Sequence, residues 1–219
     1  MTRDDRMINE HVAGCAAAHQ LLLGSLDGLT DAESRDPSKL PNWSRGHVLT
    51  HLARNADSHA HLLVAAGGGE IADQYPGGVQ ARNQAIEDGA TRSAAELIND
   101  VRTSIYSLEA QWARSTPTTW AGQGRTARGA VIAMSDLVFL RWREVEVHHA
   151  DLDRGFGWQQ WSDMYVRLEL EAQTMLWRSR KPMGLTDLPA IALQLPPHHR
   201  LAWLLGRIEV EGLPKPDPI

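Results

Sequence analysis

Four long stretches in which apolar residues return every three or four positions limit what this chain can become, because each reads as an amphipathic helix with one face to bury. The first runs from Ile8 to Leu26 through Val12, Cys15, Ala16, His19, Leu22 and Leu23, and Gly28 follows as a stop. The second starts behind Trp43-Ser44, a staple-like residue and an N-cap, and continues to Ala66 before the glycine triplet at 67 to 69. Ser93-Ala-Ala-Glu96 is a capping box, and behind it Leu97, Val101, Ile105, Leu108 and Trp112 keep helical spacing as far as Arg114. The fourth stretch covers Ala130 to Leu152.

The connections are read from their breakers. Asp36 to Asn42 is a loop, Pro76 to Gly89 has room for a short helix only, and Pro117 with Gly122-Gln-Gly-Arg125-Thr marks a loop or small hairpin. A fifth helix is expected from Ser162 to Arg180, with Tyr165, Leu168, Leu170, Met175 and Leu176 among its apolar positions. Beyond it Pro182, Pro189, Pro196 and Pro197 divide the tail into short pieces, in which Ala190 to Leu195 reads as a strand and Leu201 to Arg207 as a short helix. The expected fold is mainly α: an antiparallel four-helix bundle over residues 1–181 and a small C-terminal α/β domain over 182–219.

Bulk properties exclude several function classes. Hydrophobic residues make up 42% and charged residues 22%, which is ordinary for a globular protein with a packed core. With a net charge of -5 and 22 basic residues scattered along the chain, there is no basic stripe for nucleic acid. No apolar run reaches spanning length and the first residues do not pattern as a signal peptide, so a cytoplasmic protein is expected. The single cysteine, Cys15, allows neither an internal disulfide nor a cysteine-based zinc knuckle; it sits on the apolar face of the first helix and reads as a buried hydrophobe. Any metal must rest on His, Asp or Glu.

Of the ten histidines, eight cluster at 47 to 61, 148 to 149 and 198 to 199. Glu144 and His148 are four apart and share a helix face. Such a pair ordinarily marks a solvated face, but this helix is strongly apolar elsewhere, through Val131, Ile132, Leu137, Val138 and Leu140. Polar groups facing a bundle core need partners, and a metal ion is an economical one. A second helix completes a set of two histidines and one carboxylate with either His47 or His51, and spacing does not choose between them. That set suits zinc with an open coordination position, whereas magnesium would want more oxygen ligands. His149 and Glu146 fall off the face of Glu144. Asp151 reads as a capping or orienting residue acting on nearby backbone, and Arg141 as the partner of an acidic neighbour. The tryptophans within helical patterns read as packing residues, and the glycine triplet lacks the Lys and preceding strand of a phosphate loop.

Four segments together carry a resemblance: Trp43-Ser-Arg-Gly-His-Val-Leu-Thr-His51-Leu-Ala-Arg-Asn55, Ala81-Arg82-Asn83-Gln-Ala-Ile86, Gly122-Gln-Gly-Arg125-Thr, and Arg141-Trp-Arg-Glu144-Val-Glu-Val-His148-His-Ala-Asp151-Leu152. In order and spacing they resemble the mycothiol-dependent maleylpyruvate isomerase family of DinB-like metal-binding bundles, over nearly the whole bundle. The resemblance implies zinc held by His51, Glu144 and His148, with His47 outside the set. It also implies an arginine supplied by the C-terminal domain, for which Gly206-Arg207 is the match and which makes Arg207 the catalytic candidate. Arg82 and Arg125 stand behind it as further groups for the carboxylates of an anionic substrate.

The implied reaction converts maleylpyruvate to fumarylpyruvate in gentisate breakdown. Mycothiol adds to the double bond as a thiolate, the bond turns while single, and elimination releases the trans product. A mycothiol S-transferase on the same scaffold is the alternative enzyme, and a non-catalytic metal- or partner-binding bundle the alternative of another class. The partners expected are an anionic small molecule and a low-molecular-weight thiol, with no nucleic acid and no membrane, for a monomer or homodimer.

Overall fold

The computed structural model describes residues 3–179 and 186–216. By compactness the chain forms two units, residues 1–155 and 156–219.

The first unit is a four-helix bundle of α1 (Arg3–Ser25), α3 (Arg45–Gly67), α5 (Ala94–Arg114) and α7 (Met134–Asp151). Between them lie the short α2 (Asp31–Arg35), α4 (Gly78–Ala90) and α6 (Pro117–Ala121), and a hairpin of β1 (Gln123–Arg125) and β2 (Val131–Ala133). Helix α3 is central, packing on α4, α5, α6 and α7, while α1 packs on α7 and α5. Its inner faces bury Leu49, Leu52, Leu62, Leu63, Leu97, Val101, Ile105, Leu108, Leu137, Val138 and Trp142. Close approach of α1 and α7 requires Gly14, since a Cβ there would run into the Trp142 ring.

Helix starts follow their caps. Ser93 and Glu96 form the expected box at α5. Helices α2 and α6 are each five residues long, too short to show a period, and each is started by a threonine capping box at Thr30 or Thr116. The fourth helix begins later than its apolar pattern suggests. Val131 to Ala133 pair antiparallel with Gln123 to Arg125, so Val131 and Ile132 belong to a strand rather than to the helix face. Among the described residues no helix is long and apolar enough to cross a membrane.

The second unit holds a 3-10 turn (Trp158–Gln160), α8 (Asp163–Ser179), α9 (Ala190–Gln194) and α10 (Pro197–Leu204). Its core joins Leu188, Ala192, Trp203 and Leu204, with Leu170 and Trp177 of α8 packed against it. This places two sequence expectations differently. Helix α8, whose pattern alone assigns it to a bundle domain ending at 181, groups with the C-terminal unit because its apolar side packs on α10. The segment from Ala190, which reads as a strand, is helical. Arg200 donates to the carbonyls of Ala192, Leu193 and Leu195 at 2.7 to 2.9 Å, which satisfies the end of this short helix. Among its described residues this unit contains no strand, so the described part of the expected α/β appendage is helical. Arg180 to Leu185, including Pro182, lie outside the described residues.

Candidate metal centre

The site lies between α3 and α7. Ser44 caps α3, and the residue three places on, where a glutamate is usual, is His47: its Nδ1 accepts the Ser44 N–H at 3.1 Å, and its Nε2 faces Glu87 at 3.3 Å. Capping therefore occupies His47. One turn later His51 is buried and points across to α7.

On α7 the four-residue spacing sets Glu144 and His148 on one face. Glu144 Oε2 lies 2.8 Å from His51 Nε2 and 3.4 Å from His148 Nε2, and one ligand atom from each of the three residues falls within 4.8 Å of the others. The two imidazole rings meet edge to face with centroids 4.7 Å apart, and Trp43 covers His51 at 5.6 Å. Two imidazole nitrogens and one carboxylate on adjacent helices form a donor set that fits zinc and leaves coordination positions for exogenous groups.

The groups behind the cluster differ. His148 Nδ1 bonds to the Asp151 carboxylate at 2.9 Å, and Asp151 is buried. The Asp151 side chain thus orients an imidazole, a role that the motif holds but spacing does not disclose. Behind His51 stands Arg82 of α4, whose Nη2 donates to His51 Nδ1 at 3.0 Å. Burial brings His51 down to about 4, against the pull of Glu144. Burial also disfavours charge on His148, but the Asp151 and Glu144 carboxylates outweigh it and raise it to about 9. Burial would raise the Glu144 carboxyl, yet the two imidazoles bonded to it hold it well below the usual carboxylate range.

Deeper along the same helices lies a second network. Arg141, one turn before Glu144, is fully buried, and among the described residues it bonds a carbonyl, an amide and an imidazole rather than the acidic neighbour expected. Its Nη1 donates to the Leu52 carbonyl at 2.9 Å and Asn55 Oδ1 at 2.8 Å on α3, and its Nε to His19 Nε2 at 3.1 Å on α1. His19 Nδ1 in turn bonds Glu109 of α5 at 2.8 Å. The guanidinium reaches its counter-charge through an imidazole, and one chain of bonds clasps all four long helices. His19 carries no sequence signal for this, since it falls within an apolar pattern. Cys15, buried beside it with its thiol pushed up by burial, is the hydrophobe its position suggests. Glu146 accepts from Trp142 Nε1 at 3.0 Å, and His149 meets Ser25 Oγ at 2.8 Å, so both face away from the cluster.

The three arginines expected at substrate are placed differently. Arg82 touches the cluster and lines a cavity of about 290 Å³ with Arg54, Ser58, Gln74 and Tyr75. Arg125 donates to the Ile71 carbonyl at 3.2 Å, lies 3.5 Å from Asp73 and does not line that cavity. Arg207 belongs to the second unit, where it follows α10, donates to the Leu205 carbonyl at 2.8 Å and helps to wall a concavity formed by residues 203 to 216.

Fold and site define a class: a four-helix bundle with a two-histidine, one-carboxylate cluster between two of its helices. Residues 15–153 match the family described as mycothiol maleylpyruvate isomerase N-terminal domain, and the chain belongs to it. Two solved structures share the fold over 100% of both chains. One is a mycothiol-dependent maleylpyruvate isomerase, with 23% identity and a TM-score of 0.83; the other is a histidine-to-alanine mutant of a mycothiol-dependent maleylpyruvate isomerase, with 22% identity and a TM-score of 0.85. No curated protein matches.

Proposed function

We propose that this protein is a zinc- and mycothiol-dependent isomerase that converts maleylpyruvate to fumarylpyruvate. The observation that carries the reading is the convergence of His51, Glu144 and His148, with Asp151 fixing His148 from behind, in a chain of this family. His51, Glu144 and His148 would hold the ion. Bound there, zinc would supply a lowered pKa for the mycothiol thiol, which is the nucleophile needed to make a carbon–carbon double bond temporarily single.

The chain's own residues have separate tasks. Asp151 accepts from His148 Nδ1, which turns Nε2 toward the cluster and strengthens it as a ligand. Trp43 packs against the buried His51 ring. The substrate of the proposed reaction is a dicarboxylate, and an arginine fork suits a carboxylate better than a lysine does. Arg82 is the arginine adjacent to the cluster. Arg207 and Arg125 are proposed as further carboxylate partners, and Arg207 remains the catalytic candidate of the second unit.

The test is direct. Zinc-loaded protein with mycothiol and maleylpyruvate is expected to form fumarylpyruvate, followed by chromatography. Stoichiometric zinc and bound thiol with no isomerisation would sink the reading; accumulation of a stable thiol adduct with an added electrophile would point to an S-transferase instead.

A further inference from the structure

We propose that Arg82 is a metal-coupled residue: it holds His51 in the tautomer of the metal-free site, and metal loading releases it to bind a carboxylate at the adjoining cavity. This rests on the reading of His51, Glu144 and His148 as metal ligands.

The argument is one of donors and acceptors. A guanidinium carries five N–H donors and no acceptor, so the 3.0 Å contact of Arg82 Nη2 with His51 Nδ1 requires a bare Nδ1. The ring proton of the neutral imidazole is then on Nε2, which stands 2.8 Å from Glu144 Oε2. From Arg82 through His51 to Glu144 each donor meets an acceptor. An ion bound to His51 Nε2 needs the electron pair of that same nitrogen. The proton must then reside on Nδ1, where it faces the guanidinium, and two donors 3.0 Å apart share no hydrogen bond.

The other histidine shows the contrast. His148 Nδ1 is backed by the Asp151 carboxylate, an acceptor, which is the polarity a metal-bound imidazole requires. Two histidines of one cluster are therefore wired in opposite senses. His148 is ready for an ion, and His51 is held in its metal-free form by Arg82.

Arg82 has somewhere to go. Its Nη1 already donates to Asn83 Oδ1 at 2.8 Å, its guanidinium lies 5.8 Å from the Tyr75 ring, and it lines the cavity with Ser58 and Gln74. Once parted from His51, Nη2 is released toward an anion at the cavity that Arg82 lines, whose Asp57 carboxylate is already paired with Arg54 at 3.0 Å. Linkage then demands reciprocity: a dicarboxylate that engages the released arginine tightens metal binding by the same factor by which the metal tightens the dicarboxylate.

The experiment measures zinc affinity by chelator competition, with and without maleate as the probe anion, for wild type, Arg82→Met and Arg82→Lys. Arg82→Met is expected to bind zinc about tenfold tighter than wild type, and Arg82→Lys, still a pure donor, close to wild type. Maleate is expected to tighten zinc several-fold in wild type and not at all in Arg82→Met. Nitrogen-15 spectra of the His51 ring should show Nδ1 bare in the metal-free protein and protonated in the zinc form. Equal or weaker zinc binding by Arg82→Met, or a protonated Nδ1 without metal, overturns the proposal while leaving the metal site intact. Failure of wild type and variants alike to bind zinc overturns the metal reading beneath it as well.

Discussion

Two polar networks share the seam between α3 and α7, one helical turn apart, and they are built to opposite ends. The outer one joins His51, Glu144, His148 and Asp151; the inner one joins Glu109, His19, Arg141 and Asn55. The inner network is turned inward. Arg141 and His19 are fully buried, and the bonds run from cation to carboxylate through a neutral ring. In the outer network the Glu144 side chain is 31% exposed and two carboxylates attend two imidazoles, so acceptor capacity is left for an incoming cation. The difference teaches how one pair of helices separates tasks. A network that ties helices together turns its donors onto neighbouring helices, here with Arg141 Nη2 left over, whereas one that binds a ligand keeps acceptors in reserve.

That comparison can be broken most severely from the inside. Arg141→Met removes the group on which three helices converge and should cost about 3 kcal/mol of stability in denaturant unfolding. A loss under about 0.5 kcal/mol, the size of an ordinary surface substitution, would show that the clasp ties nothing. His51→Ala should do the reverse: zinc affinity should fall about a hundredfold or more while metal-free stability changes little. Full zinc occupancy in that variant would remove His51 from the ligand set. Asp151→Asn keeps an acceptor for His148 but loses the charge, so zinc affinity should weaken about tenfold, as seen by the same competition titration.

Acidity separates the networks further. His148 is raised from 6.5 to about 9, so in the metal-free protein its contribution to stability is full below 6.5 and disappears as pH climbs through 9. His19 is lowered from 6.5 to about 4 by burial, against Glu109, so the unfolded chain binds the extra proton and stability falls as pH drops from 6.5 toward 4. Metal-free protein should therefore be most stable near neutrality. Urea melts across pH should show Asp151→Asn with a shallower alkaline limb and His19→Gln with a shallower acid limb. Identical profiles for both variants would erase the distinction. The smallest effect concerns Cys15: a thiol reagent should label it only after unfolding, because it is fully buried beside the clasp.

Much of the site is local and therefore legible. Glu144 and His148 share a face because residues four apart on a helix must. Ser93 and Glu96 start α5 because a hydroxyl and a carboxylate at that spacing satisfy two orphan backbone donors. The choice between His47 and His51 is half legible: Ser44 with His47 three residues on is also a capping box, hidden because histidine replaces the usual acid. The strand reading of Ala190 to Leu195 fails for a different reason. Its helical turn is held by Arg200, whose bonds to three carbonyls no residue pattern within the segment records.

By itself the sequence determined the four amphipathic helices, the caps of α3 and α5 and the pairing of Glu144 with His148, since these depend on 3.6 residues per turn and on groups a few positions apart. Only the tertiary structure decided that His51 crosses to Glu144, that Asp151 and Arg82 stand behind the two imidazoles with opposite polarity, and that Arg141 finds Glu109 through His19. Those partners are 31 to 122 residues apart where they lie on different helices. Which of them meet is set by how the helices rotate and dock, a property of the packed core as a whole that no local spacing encodes.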